Sequence, residues 1–143
     1  MEQQPRAVVY GTYADECKAQ LEHARQAYLT IALTADMSET ETAKTLTEII
    51  GSWRDPAEVL APLESAVRNK GTNSVAASAL AATRALELFG TLILQAARAQ
   101  PEVREREIQS AKNAFGPTYR TYIEFLYDAS VCLQNDDFLR TRS

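Results

Sequence analysis

Residues 74–99 read SVAASALAATRALELFGTLILQAARA, with Arg84, Glu87 and Arg98 as the only charges. Nine of these 26 residues are alanine, the best helix former and one whose small side chain lets neighbouring backbones come close. Val75, Ala79, Ala82, Leu86, Phe89 and Ile93 recur at steps of 4 and 3, which places them on one face of a helix. Arg84, Glu87, Thr91, Gln95 and Arg98 form a second, polar line with the same periodicity. The spacing predicts the long central helix of an all-α domain, with one wet edge. The stretch is long enough to span a bilayer, but charges at bilayer depth are expensive, so a core helix is expected and membrane insertion is not.

Moving toward the amino terminus, Pro56 follows Asp55, a cap-then-proline start for a helix with Val59, Leu60, Leu63 and Val67 turned inward. Lys70-Gly71 is its stop signal. Ser38-Glu39-Thr40-Glu41 is a capping-box pattern that opens a helix running to about Ile50, with Gly51 as its end. Trp53 falls in the short connector between these two. The first helix is expected from about Ala14 to Asp36, after a Gly11-Thr12 break. Its seam is Tyr10, Ala14, Cys17, Leu21, Ala24, Tyr28, Ile31 and Ala35.

Toward the carboxyl terminus, Asn73 or Ser74 caps the central helix and Gln100-Pro101 ends it. A fifth, strongly charged helix, PEVREREIQSAKNAF, shows only Val103, Ile108, Ala111 and Phe115 as inward candidates. Gly116-Pro117 predicts a break, and a sixth helix from about Thr118 to Gln134 carries Tyr119, Tyr122, Ile123, Phe125, Leu126, Ala129 and Leu133. No hairpin pattern occurs, and Ala7–Tyr10 is too short to found a sheet. The expectation is a single-domain helical bundle of five or six helices. Its divisions are a weakly structured segment at 1–13, the bundle at 14–134 and a polar tail at 135–143.

The chain has 143 residues, 45% hydrophobic and 24% charged, with a net charge of −4. That length suits one domain with a real core. No basic block is large enough to neutralise a run of phosphates, so duplex nucleic acid is not an expected partner. The start, MEQQPRAVVYGTYADE, has no signal-peptide pattern. With Cys17 and Cys132 far apart in sequence, reduced thiols and a cytoplasmic location are expected.

Chemistry-bearing patterns are sparse. His23 is the single histidine, on the flank line Glu16, Gln20, His23, Ala27 and Thr30. It could serve as a general base beside a carboxylate, yet no nucleophile motif accompanies it, and a solvated histidine on a polar edge is the expected state. A di-iron bundle would need Glu-x-x-His, but position 20 is Gln. No C-x-x-C, H-x-x-x-H, calcium-loop, phosphate-cradle or G-x-S-x-G pattern occurs. Asp136-Asp137 and Glu105/Glu107 read as solvated carboxylates. No catalytic residue, metal or cofactor is therefore expected, and Gly90, inside the central helix, reads as a point of close helix contact.

Aromatic residues carry the stronger signal. Tyr119, Tyr122, Phe125 and Tyr127 crowd the last helix beyond the needs of one core stripe, and Trp53 sits where full burial is difficult. Large amphipathic rings favour interfaces. Small-residue ladders, Ser74/Ser78/Ala82 and Ala77/Ala81/Ala85, could seat helices of the same chain or of a second copy. Arg84 and Glu87, three apart, can bridge each other. Trp53, Tyr119, Tyr122, Tyr127, Arg84 and Glu87 thus form the candidate interaction surface. Ser52–Glu58, SWRDPAE, resembles the W-x-D-P-x-E segment near the start of rod-shaped tobamovirus coat proteins, which are also acidic, all-α subunits of similar size. The likeness spans seven residues, sits at another distance from the amino terminus and lacks that family's later RNA-binding segment, so no residue role is carried across. The expected function is a non-enzymatic helical protein–protein interaction module, acting as adaptor, inhibitor, chaperone or regulatory partner. The alternatives are a self-assembling structural subunit, such as a viral or phage component, and a small-molecule-binding bundle.

Overall fold

A computed structural model describes the backbone of residues 6–70 and 73–142, and the side chains of 8–67, 75–132 and 134. The described chain is all-α. Its elements are α1 (Arg6–Leu33), a 3₁₀ turn (Thr34–Asp36), α2 (Glu39–Gly51), α3 (Pro56–Lys70), α4 (Asn73–Arg98) and α5 (Pro101–Arg142).

The predicted helix starts in the middle of the chain are the observed ones. Ser38 accepts the Glu41 N–H at 3.2 Å, and Asp55 Oδ1 accepts the Ala57 N–H at 3.0 Å. Each side chain satisfies a donor that a helix start leaves unpaired. At the α4–α5 corner, Arg104 Nη2 donates to the Ala99 carbonyl at 2.9 Å, covering an orphan acceptor at the end of α4. The Asn73/Ser74 cap, the Gly71 stop, the Leu133 side chain and the carboxylates of Asp136 and Asp137 lie outside the described residues.

Two expected breaks do not occur. α1 runs through Gly11-Thr12 from Arg6, so the expected weakly structured segment at 1–13 is helical over its described part. Tyr10 and Tyr13 explain this, being 1% and 0% exposed; burying two large rings outweighs the roughly 1 kcal/mol that a helical glycine costs. The expected fifth and sixth helices are one 42-residue helix, α5, which passes through Gly116-Pro117 and continues to Arg142 through the segment expected as a polar tail. A proline in a helix interior removes one hydrogen bond and costs about 3 kcal/mol. Packing on both sides offsets it. Phe115 packs at a tilt against Phe89 of α4, with centroids 5.8 Å apart, and the Thr118 hydroxyl donates to the Ala114 carbonyl at 2.7 Å and to the Ala85 carbonyl of α4 at 3.4 Å. Pro62 lies inside α3 in the same way.

Contacts give the arrangement of the bundle. Tyr13 reaches Ala79 and Thr83, and His23, ten residues on, meets the Trp53 ring that rests on Gly90, so α1 and α4 run parallel. Ser78 reaches Asp128 while Ala85 meets Thr118, so α5 runs antiparallel to α4. Among the described residues α3 and α5 make no contact and lie on opposite sides of the α1–α4 pair, whereas α4 contacts α1, α2, α3 and α5. The alanines of α4 permit this central place: Ala79, Ala82, Ala96 and Ala97 are all buried. The predicted α4 seam, from Val75 to Ile93, is at most 1% exposed throughout. By length and composition α4 could cross a membrane, but its apolar seam here faces other helices, and Arg84, Thr91, Gln95 and Arg98 are exposed as the spacing predicted.

Candidate functional site

The six residues of the expected interaction surface separate into three environments. Trp53 is half-buried and packed against the core. Its indole rests on Gly90 of α4: a Cβ placed on that glycine would stand 2.7 Å from Trp53 Cζ2. Gly90 therefore provides the close approach expected of it, with the side chain of a connector residue as the guest. On its other side the indole meets the His23 ring, with centroids 5.3 Å apart and planes tilted by 41°. Trp53 ties the α2–α3 connector to α1 and α4.

His23 takes part in the same tie. Its Nε2 accepts the Arg54 backbone N–H at 3.4 Å, and the Arg54 guanidinium lies 3.9 Å from Glu16. Burial first, and then the Arg54 charge, lower the His23 pKa below its usual 6.5. At neutral pH the ring is a neutral acceptor. A narrow cleft of about 190 Å³ borders it, formed by Gln26, Ala27, Thr30, Ile49 and Ser52. None of these is a nucleophile paired with the histidine.

Arg84 and Glu87 form the second environment. Arg84 is exposed and Glu87 half-buried. The ion pairs found among the described residues join Glu22 to Arg25 and Glu16 to Arg54, and Arg84–Glu87 is not one of them. Glu87 instead acts on Tyr13, whose pKa is raised by burial, against the opposing hydrogen bond from Thr83, and to a smaller extent by the nearby Glu64 and Glu87 carboxylates. Tyr13 is wholly buried, meets Phe125 edge-on at 5.4 Å and shares a hydrogen bond with Thr83. A buried phenol needs such a partner.

The third environment is the second half of α5. Tyr122 belongs to the core at 8% exposure, and burial raises its pKa. Tyr119 and Tyr127 do not: they are 48% and 69% exposed, and Ile123 and Val131 join them at 41% and 37%. These four follow one another at steps of four, on the flank away from Thr118, Tyr122, Phe125 and Ala129, which are all buried. Rings connect the two faces, with Phe89, Phe115, Tyr119 and Tyr122 in succession at 5.8, 6.2 and 6.3 Å. Ile123, Glu124, Tyr127 and Asp128 line a shallow depression of about 420 Å³. Ile123 and Val131 are additions to the expected surface. Their signal was the step of four from Tyr119, which drifts off a seam built on alternating threes and fours.

The small-residue ladders divide in a similar way. Ser78 donates to Asp128 of α5, Ala82 is buried and the Ala85 carbonyl accepts from Thr118, so this edge closes within the chain. Ala77 and Ala81 remain exposed.

Two further groups bear on chemistry. Cys17 is fully buried, and burial, with a smaller contribution from the Glu16 charge, pushes its thiol pKa up to about 12. Such a thiol is inert at neutral pH. Cys17 and Cys132 are not joined in a disulfide, although α1 and α5 are neighbours. Among the described residues no three of His, Cys, Asp and Glu converge as a metal site. A cleft of about 510 Å³ between the end of α1 and the start of α5 is lined by Tyr28, Thr34, Arg104, Ile108 and Lys112, among others. It sets Arg104 and Lys112 beside Glu105, Gln109 and the apolar Ile108. Comparison with family models, curated proteins and solved structures gives no match for this chain.

Proposed function

We propose that the chain is a non-enzymatic helical interaction module that binds a protein partner through the outer face of α5. The single observation behind this reading is the exposed line Tyr119, Ile123, Tyr127 and Val131 on a helix whose opposite face is fully engaged. Scattered exposed apolar residues are ordinary on a protein surface. Four of them in register, two of them tyrosines, resemble the anchor spacing with which helices dock into grooves. Glu124 and Arg120 are exposed beside the line and supply the polar rim that such contacts use.

Trp53 has no part in this surface, because its indole is committed to Gly90 and His23. The test is to purify the protein from its own cells with Tyr127→Ser and Ile123→Ser introduced together. Loss of a co-purifying protein, with an unchanged far-UV CD spectrum, supports the proposal. A partner set identical to that of the unaltered chain overturns it. A partner that proves to be a second copy converts the module into a self-assembling subunit using the same face.

A further inference from the structure

We propose that His23, Trp53 and Arg54 form a proton-operated latch, in which a proton gained at His23 Nε2 frees the 52–55 connector from α1 and lifts the Trp53 indole off Gly90. The latch stands apart from the α5 surface and does not depend on it. In the closed form Nε2 offers its lone pair to the Arg54 backbone N–H at 3.4 Å. A proton from solvent occupies that lone pair, so an N–H then faces an N–H and the bond is lost. The new imidazolium also lies near the Arg54 guanidinium, the charge that already disfavours it.

The surrounding charges leave this repulsion in place. On α1, Glu22 pairs with Arg25 at 3.6 Å, and Glu16, two turns away, faces Arg54 at 3.9 Å with its Oε2 not hydrogen-bonded. On the connector, Asp55 Oδ1 is committed to the start of α3 through the Ala57 N–H. α2 contributes Ile49 and the connector Ser52, neither of which titrates. α4 approaches through Gly90 behind the indole, and its Glu87 acts on Tyr13.

A buried polar group lies beside the latch on α1. Gln20 lies between Glu16 and His23 on the same face of α1, is 1% exposed, and has neither amide atom hydrogen-bonded. A buried amide without partners is a local cost to this part of α1. The direction with pH follows. His23 binds its proton less readily in the closed protein than in an open or unfolded chain, so the closed form is fully favoured above pH 6.5 and loses ground as pH falls below it.

Trp53 is the only tryptophan, so its fluorescence reads the latch directly. Emission wavelength and acrylamide quenching are followed from pH 8 to 5, with far-UV CD recorded in parallel. Intensity is left aside, because an imidazolium beside an indole can quench it without movement. The unaltered protein should show a red shift and a rise of about twofold or more in the quenching constant, with a midpoint below pH 6.5 and constant helicity, as expected of a local opening. His23→Gln keeps a neutral acceptor that cannot titrate and should abolish the step. Gly90→Ala displaces the indole and should give the open-form signal already at pH 8. A pH-invariant Trp53 in the unaltered protein overturns the latch. So does the same step in His23→Gln, or a step that coincides with loss of helicity.

Discussion

Trp53 and Tyr127 look alike in the sequence: each is a large ring outside a simple core seam. In the folded chain they behave oppositely. Trp53 enters the bundle, fills the space left by a missing Cβ at Gly90 and holds a connector to two helices. Tyr127 stands 69% exposed on α5, with its helix fully supported from the other side. The difference lies less in the rings than in what faces them. A glycine on a neighbouring helix makes room for an indole, whereas the outward flank of an already packed helix offers a tyrosine only solvent or a partner. Surplus aromatic residues can therefore mark either a structural pin or a docking surface, and only the opposing residue distinguishes them.

Substitutions can break or sharpen that contrast. The largest effect should come from the core behind both rings: Phe125→Ala removes a 0%-exposed ring that touches Tyr13. It should cost about 3–5 kcal/mol in urea unfolding. Trp53→Ala should cost less, about 2–3 kcal/mol, since its ring is only half-buried and Gly90 can be solvated once it has gone. A loss under about 0.5 kcal/mol, the range of ordinary surface changes, would place Trp53 with Tyr127. Tyr13→Phe keeps the ring and removes one hydroxyl, and Thr83 retains its bond to the Ala79 carbonyl at 3.0 Å. About 1 kcal/mol is expected, read as a small fall in Tm. Tyr127→Ala should have the smallest effect on folding, within about 0.5 kcal/mol of the unaltered protein.

Much of the fold was legible in the sequence because its signals are local. Periodicity located the α4 seam, and capping chemistry located the starts of α2 and α3. The errors fall where tertiary packing overrides a local breaker. Gly11 gave way to the burial of Tyr10 and Tyr13, and Pro117 to the contacts of Phe115 and Thr118 with α4. Neither could be read without knowing which helices meet. The candidate site was less legible for the same reason. The rings were visible, but the partnership of Trp53 with Gly90 spans 37 residues and that of His23 with Arg54 spans 31. The burial of Gln20, on a line expected to be a polar edge, is likewise a consequence of what covers α1.

On the proposed function, the α5 face works in association and is dispensable for folding. Light scattering after size exclusion, on protein purified from its own cells, tests it most directly with the Tyr127→Ser/Ile123→Ser pair. A complex heavier than the 15.8 kDa chain is expected, dissociating to that mass in the variant with an unchanged far-UV CD spectrum. A 15.8 kDa monomer for the unaltered protein at every concentration, or a complex of equal mass in the variant, would contradict it.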